Sequence, residues 1–259
     1  MIETAITSHD NPIFKRLKKL ADSVRARREA QMSVLDGEHL LAAYLDAGWQ
    51  PHALVRAASC DVARFAQLAA RCMQAKAIVL PDALFAELSP VATPTGMLAE
   101  ASWLTPPAIE TTPLVIVLED IQDPGNLGSM LRTAAAAGAT LAVLSKGCHD
   151  AWSPKALRDG QNAQFVLPMQ QGVDLVAWLN DFAGQSIALA LGEPNDFYAQ
   201  DCVGATALVV GNEGSGLSRP TISNASLCAQ IPMSGRVESL NASAAMAVAM
   251  FEVMRQRRR

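Results

Sequence analysis

Short, uninterrupted apolar runs alternate with helix-patterned segments through the second half of this chain, and nothing else in the sequence restricts the fold as much. LVIVLED (114–120), TLAVLS (140–145), QFVLP (164–168), SIALAL (186–191), TALVVG (206–211) and CAQIP (228–232) each read as a strand. Helical segments separate most of them, at NLGSMLRTAAAAG, SPKALRDG and DLVAWLNDFAG, and SLNASAAMAVAMFEVMRQR closes the chain. A strand that is apolar on successive residues has no solvated face, so the pattern predicts a parallel sheet covered by helices on both sides. The first half shows the same alternation on a smaller scale. A helix is expected over 11–31, where Asn11-Pro12 supplies a cap and Phe14, Leu17 and Leu20 keep helical spacing. A second is expected through GEHLLAAYLDAG to Gly48, and ALVRA and AIVL then alternate with DVARFAQLAARCM and PDALFAELS. TPPAIETTP has the composition of a linker. The expected division is a small α/β domain over 1–105, a linker over 106–113 and an α/β domain over 114–259.

Composition narrows the class further. With 259 residues, half of them hydrophobic, the chain can bury a real core and is not disordered. Its five cysteines (Cys60, Cys72, Cys148, Cys202, Cys228) are scattered and never form a C-x-x-C pair, so they read as reduced thiols. His9, His39, His52 and His149 have no ligand-like spacing, and no metal is expected. No run approaches the roughly 18 apolar residues of a membrane helix. The first twenty residues carry charge where a signal peptide needs an apolar stretch, so a cytoplasmic protein with no membrane partner is expected. Net charge is −4, but residues 15–28 hold seven basic side chains against one acid, Asp22, and the last five residues hold four arginines. Such segments are either local phosphate binders or solvated helix faces.

Three segments place glycines and polar residues at expected strand ends, where open α/β sheets bind ligands. In LEDIQDPGNLGSMLRTA (118–134) a strand ends in acids, turns through Asp123-Pro124-Gly125 and enters a helix carrying Asn126 and Arg132. In LVVGNEGSGLS (208–218) Gly211, Gly214 and Gly216 follow a strand directly, without the Gly-Lys-Ser/Thr of a nucleotide P-loop. In IPMSGRVESLNASAAMAVAMFE (231–252) a strand end precedes a helix expected to start near Ser239, with Ser239, Asn241 and Ser243 crowding its first turn. Taken singly, each is an ordinary capped or turning segment.

Taken together, in order and over about 130 residues, they resemble the SpoU (TrmH-like) RNA ribose 2′-O-methyltransferases of the SPOUT superfamily. Asn126 and Arg132 match the first family motif; Gly211, Glu213 and Gly216 match the second; Ile231, Pro232, Met233, Ser239, Leu240 and Asn241 match the third. The N-terminal part is similar to the small RNA-binding domain many of these enzymes carry, with Asp36-Gly37 where the usual pair is Glu-Gly. The resemblance implies a C-terminal trefoil knot, an exception to the rule against knots, and a homodimer with its sites near the interface. It implies S-adenosylmethionine as cofactor, held around Gly211, Ile231, Met233, Leu240 and Leu191. It also implies a catalytic set of Arg132, Asn126, Glu213, Ser239 and Asn241. Arg132 would act as the base or as an electrostatic stabiliser of the developing alkoxide that holds the neighbouring phosphate. Lys15, Lys18 and Lys19, with Arg132, are the expected RNA contacts. Ribosomal RNA is the expected substrate. The alternatives are a tRNA 2′-O-methyltransferase and a catalytically inactive RNA-binding or ribosome-assembly protein of the same fold. A nucleotide hydrolase lacks the phosphate-loop lysine and any nucleophile–base pair.

Overall fold

A computed structural model describes residues 3–91 and 94–258; the terminal Arg259 of the basic tail lies outside them. The chain divides into two compact units: residues up to Leu104 with Asp150–Phe165, and Thr105–His149 with Val166 onward.

The first unit is built on a five-stranded mixed sheet. Its strands are β1 (Glu3–Ala5), β2 (Met32–Asp36), β3 (Ala53–Ala57), β4 (Lys76–Leu80) and β5 (Met97–Ser102). They lie in the order β1-β4-β3-β5-β2, with β5 antiparallel to both neighbours and the other pairs parallel. Helices α1 (Pro12–Asp22), α2 (Val24–Ala30), α3 (Glu38–Asp46), α4 (Val62–Ala69) and α5 (Asp82–Ala86) connect them. The single helix expected over 11–31 is two. Ser23 adopts an extended conformation, its N–H closing α1 onto the Lys19 carbonyl while its side chain caps α2 at Ala26. A serine that can bond locally to the backbone competes with helix continuation. α1 buries Phe14, Leu17 and Leu20, as its spacing requires.

Arg27 and Asp150 form a buried ion pair of 2.6 Å, and Arg27 also donates to the carbonyls of Leu20 and Ala21. The Ser33 hydroxyl donates to the Trp152 carbonyl, and Trp103 stacks on Trp152 at 5.4 Å. These bonds explain why Asp150–Phe165 packs here although it falls between two strands of the other sheet. The segment contains α7 (Pro154–Gly160) and most of α8 (Ala163–Val166). The strand expected at QFVLP is therefore corrected. Gln164 and Phe165 are buried in a helical turn, with the Gln164 amide donating to the carbonyls of Ala151 and Ala156. Two buried carboxylates stand out. Burial raises the pKa of Asp36 against its bonds from Ser89 and Arg158, and raises that of Glu100 against the Arg16 guanidinium.

The second unit holds β6 (Leu114–Leu118), β7 (Leu141–Ser145), β8 (Met169–Val173), β9 (Gln185–Leu189), β10 (Thr206–Val210) and β11 (Leu227–Ala229). These six strands are all parallel, in the order β11-β9-β10-β6-β7-β8. Every residue of β6 and β10 is buried, which accounts for their apolar sequence, interrupted only by Thr206 at the start of β10. Helix α9 (Leu175–Asp181) packs Leu175 and Leu179 on one face of the sheet, against Val115, Val117, Val143 and Val209. α6 (Pro124–Ala136) and α11 (Ala242–Arg257) pack on each other, and α11 also lies against β10. α10 (Arg219–Asn224) precedes β11. The edge strand β8, MQQGV, is half-exposed and carries no apolar run, so period and hydropathy do not reveal it.

Candidate active site

The C-terminal ends of β9, β10 and β11 surround a cavity of about 580 Å³, a size suited to a ligand of a few hundred daltons. Its apolar wall includes Leu189, Leu191, Val210, Leu217, Ile222 and Ile231, and the loop 211–217 closes one side. All five residues expected to hold the cofactor (Gly211, Ile231, Met233, Leu240 and Leu191) line it.

Loop 211–217 turns tightly. A Cβ built on Gly211 would lie 2.4 Å from the Gly216 carbonyl, and Gly216 has φ +67°, so side chains are excluded at the first position and strained at the second. Asn212 organises the turn. Its side-chain oxygen accepts from the N–H groups of Gly214 (2.8 Å) and Ser215 (3.2 Å), and its carbonyl accepts from Gly216 (2.9 Å). These three donors are consumed inside the loop. A phosphate-cradling nest needs such N–H groups pointing outward, so the chemistry here does not match a nucleoside triphosphate.

Asn126 and Glu213, 87 residues apart, meet at one edge of the loop. The Asn126 amide donates to the Glu213 carboxylate at 2.7 Å, and the Ser243 hydroxyl donates to the Asn126 oxygen at 3.4 Å. Asp123 caps α6 by accepting from Asn126 N–H at 2.7 Å, which seats Asn126 in the first turn. Asn241 caps α11 through Ser243 and Ala244, and it lines the cavity. The helix therefore begins at Ala242 and not near Ser239. Ser239 lies in irregular chain at the cavity wall, exposed.

Arg132 is placed differently. It is exposed on α6, outside the cavity lining, and makes no hydrogen bond or ion pair among the described residues. On α1, Lys15 pairs with Asp10 at 2.7 Å and Lys18 with Asp22 at 2.9 Å, whereas Lys19 is exposed. Sequence reading passed over Asn212, Leu189, Leu217 and Ile222, and it noted Ser243 only as a residue of the helix start. Only Asn212 carried a visible signal, as the polar residue inside the glycine run.

The donor set suits S-adenosylmethionine. Apolar side chains can flank an adenine and a methylene stem, and among the described residues Glu213 is the single carboxylate in the lining, of the sign that favours a sulfonium. Among the described residues, no three His, Cys, Asp or Glu side chains converge on a metal position, and no helix is long and apolar enough to cross a membrane.

Residues 113–251 match the model of the SpoU rRNA Methylase family, and residues 11–99 match the MRM3-like substrate binding domain. An uncharacterised tRNA/rRNA methyltransferase of Synechocystis is 32% identical, across 97% of this chain and 94% of that protein. The 23S rRNA (guanosine-2′-O-)-methyltransferase RlmB of Pseudomonas putida is 36% identical over 57% of this chain, a match spanning 61% of RlmB's own length. Among solved structures, an AdoMet-bound rRNA methyltransferase from Sinorhizobium meliloti superposes with a TM-score of 0.83 at 27% identity, covering 98% of each chain.

Proposed function

This chain belongs to the SpoU rRNA methylase family, and on that premise we propose that it transfers the methyl of S-adenosylmethionine to a ribose 2′-hydroxyl of ribosomal RNA. The observation that carries the reading is the Asn126–Glu213 bond, which joins the first and second motifs beside a cavity lined by the third. When bound, the cofactor supplies an electrophilic methyl on a sulfonium. Leu191, Ile231, Met233 and Leu240 would hold its apolar parts, with Gly211 admitting close backbone approach.

The chain's own groups do the rest. A ribose hydroxyl is a weak nucleophile, so alignment and support for charge on its oxygen must come from the protein. Glu213, fixed by Asn126, orients the reacting hydroxyl together with Ser239 and Asn241. Arg132 holds the adjacent phosphate and stabilises the developing oxyanion. A guanidinium holds its proton and is a reluctant base, and the exposed position of Arg132, without a partner among the described residues, leaves it available to the polyanion. Residues 1–105 provide RNA affinity through α1, with Lys15, Lys18 and Lys19 toward phosphates, and residues 106–113 link them to the catalytic domain 114–259. The proposal includes the family's trefoil knot, a homodimer and a cytoplasmic location.

The test is calorimetric titration with S-adenosylmethionine, followed by methyl transfer to ribosomal RNA and to tRNA without added metal. Binding and transfer to ribosomal RNA are expected. Transfer only to tRNA would move the substrate assignment, and binding of RNA without the cofactor would favour an inactive assembly protein.

A further inference from the structure

The loop 211–217 contains three glycines, so little in its own covalent structure holds it in one shape. Two consecutive acids at the end of β6 hold both of its ends. At the near end, the Asp120 carbonyl accepts from the Asn212 amide at 2.9 Å. Asp120 has φ +54°, an unusual conformation for a side-chain-bearing residue, and Ser145 stabilises it by donating to its carboxylate (2.6 Å) and accepting its N–H (2.9 Å). At the far end, the Glu119 carboxylate accepts three bonds. They come from Ser218 N–H (2.8 Å), the Ser218 hydroxyl (2.7 Å) and the Thr221 hydroxyl (2.6 Å). Thr221 is fully buried at the start of α10, the helix that presents Ile222 to the cavity.

We propose that Glu119 is a positioning residue for the cofactor cavity: it locks the exit of the glycine loop and the first turn of α10 in the ligand-ready shape. The inference rests on the assignment of that cavity to S-adenosylmethionine. A loop already ordered in the free protein spares the ligand the cost of ordering it, so releasing the loop weakens binding. Glu213 keeps its own tether through Asn126, so the chemical step is affected less than cofactor binding.

Three variants test this: Glu119→Ala, the pair Ser218→Ala with Thr221→Val, and all three changes together. Glu119→Ala is expected to raise the cofactor Kd and KM about tenfold while kcat at saturating cofactor stays within about threefold. The pair should cost a similar factor. The triple variant should bind no more weakly than Glu119→Ala alone, because one set of bonds is removed by either route. An unchanged Kd in folded Glu119→Ala overturns the proposal, as do independent, multiplying effects. If Glu119→Ala does not fold, Thr221→Val alone decides: its Kd must rise at least threefold. Should the parent protein itself fail to bind the cofactor, the functional assignment falls first. Hydrogen exchange then judges the tether, which requires faster exchange of the 211–218 amides in Glu119→Ala; unchanged exchange refutes it.

Discussion

Among the described residues, one unit buries charged side chains and the other does not. In the first, Arg27, Asp36, Glu100 and Asp150 are all inside, each less than 5% exposed. In the second, the buried polar side chains among the described residues are hydroxyls alone (Thr140, Ser186, Thr206 and Thr221), and the described charges stand exposed or half-exposed. The contrast shows that a perturbed carboxylate is not a reliable signpost to chemistry in this protein. The acids whose pKa burial raises, Asp36 and Glu100, do not line the cavity, whereas Glu213, in the lining, is exposed. Burial in a structural core perturbs titration as effectively as an active site does.

Breaking the buried charge should have the largest effect. Arg27→Met leaves the enclosed Asp150 without its ion-pair partner, and removes the donor to the C-terminal end of α1. A loss of about 3 to 5 kcal/mol is expected in urea denaturation. Adding Asp150→Leu should recover part of it, since the pair replaced by apolar groups leaves no orphan charge. A loss below about 1 kcal/mol for the single change would erase the distinction between the units.

Arg132→Ala tests the other side of the comparison. An exposed residue with no partner contributes little to the fold, so the melting temperature and cofactor Kd should stay unchanged. Turnover should fall by about 10² to 10³, the usual effect of deleting one group that stabilises an oxyanion. Lysine should rescue little, lacking the planar fork that engages a phosphate through two donors. Near-normal turnover would remove Arg132 from the site.

The smallest effect is expected on α1. Replacing Lys15, Lys18 and Lys19 with Gln should weaken RNA binding and flatten its salt dependence, by about 0.7 to 0.9 in log–log slope for each phosphate the helix no longer neutralises. Because Lys15 and Lys18 already pair with Asp10 and Asp22, Lys19→Gln alone should account for the largest share. Cofactor affinity should not move. An unchanged salt slope in the triple variant would make this helix a solvated face.

The strands of the second unit were legible in the sequence where they are central and buried. β6 announces itself by five apolar residues in a row and β10 by four after Thr206, a signal carried entirely by neighbours in the chain. The edge strand β8 was not, because an edge needs no apolar face. QFVLP misled because its phenylalanine is buried by the first unit, in contact with Tyr44 and Trp152, and not by the sheet of its neighbours in sequence. Ser23 misled for a local reason, since its side chain could cap a helix or lie within one, and periodicity does not distinguish the two.

Residue types in order and at set spacing therefore determined the class of sheet, the glycine turn, the helix cap before Asn126, and the family to which the chain belongs. Tertiary structure alone decided that Asp150–Phe165 joins the first unit with Asp150 paired to Arg27, that Asn126 reaches Glu213, and that Glu119 clamps Ser218 and Thr221. Hydropathy and helical period report only the few residues on either side of a position. A contact across 87, 99 or 123 positions forms because burial and hydrogen bonding favour one packed arrangement of the whole chain, and no local pattern encodes it.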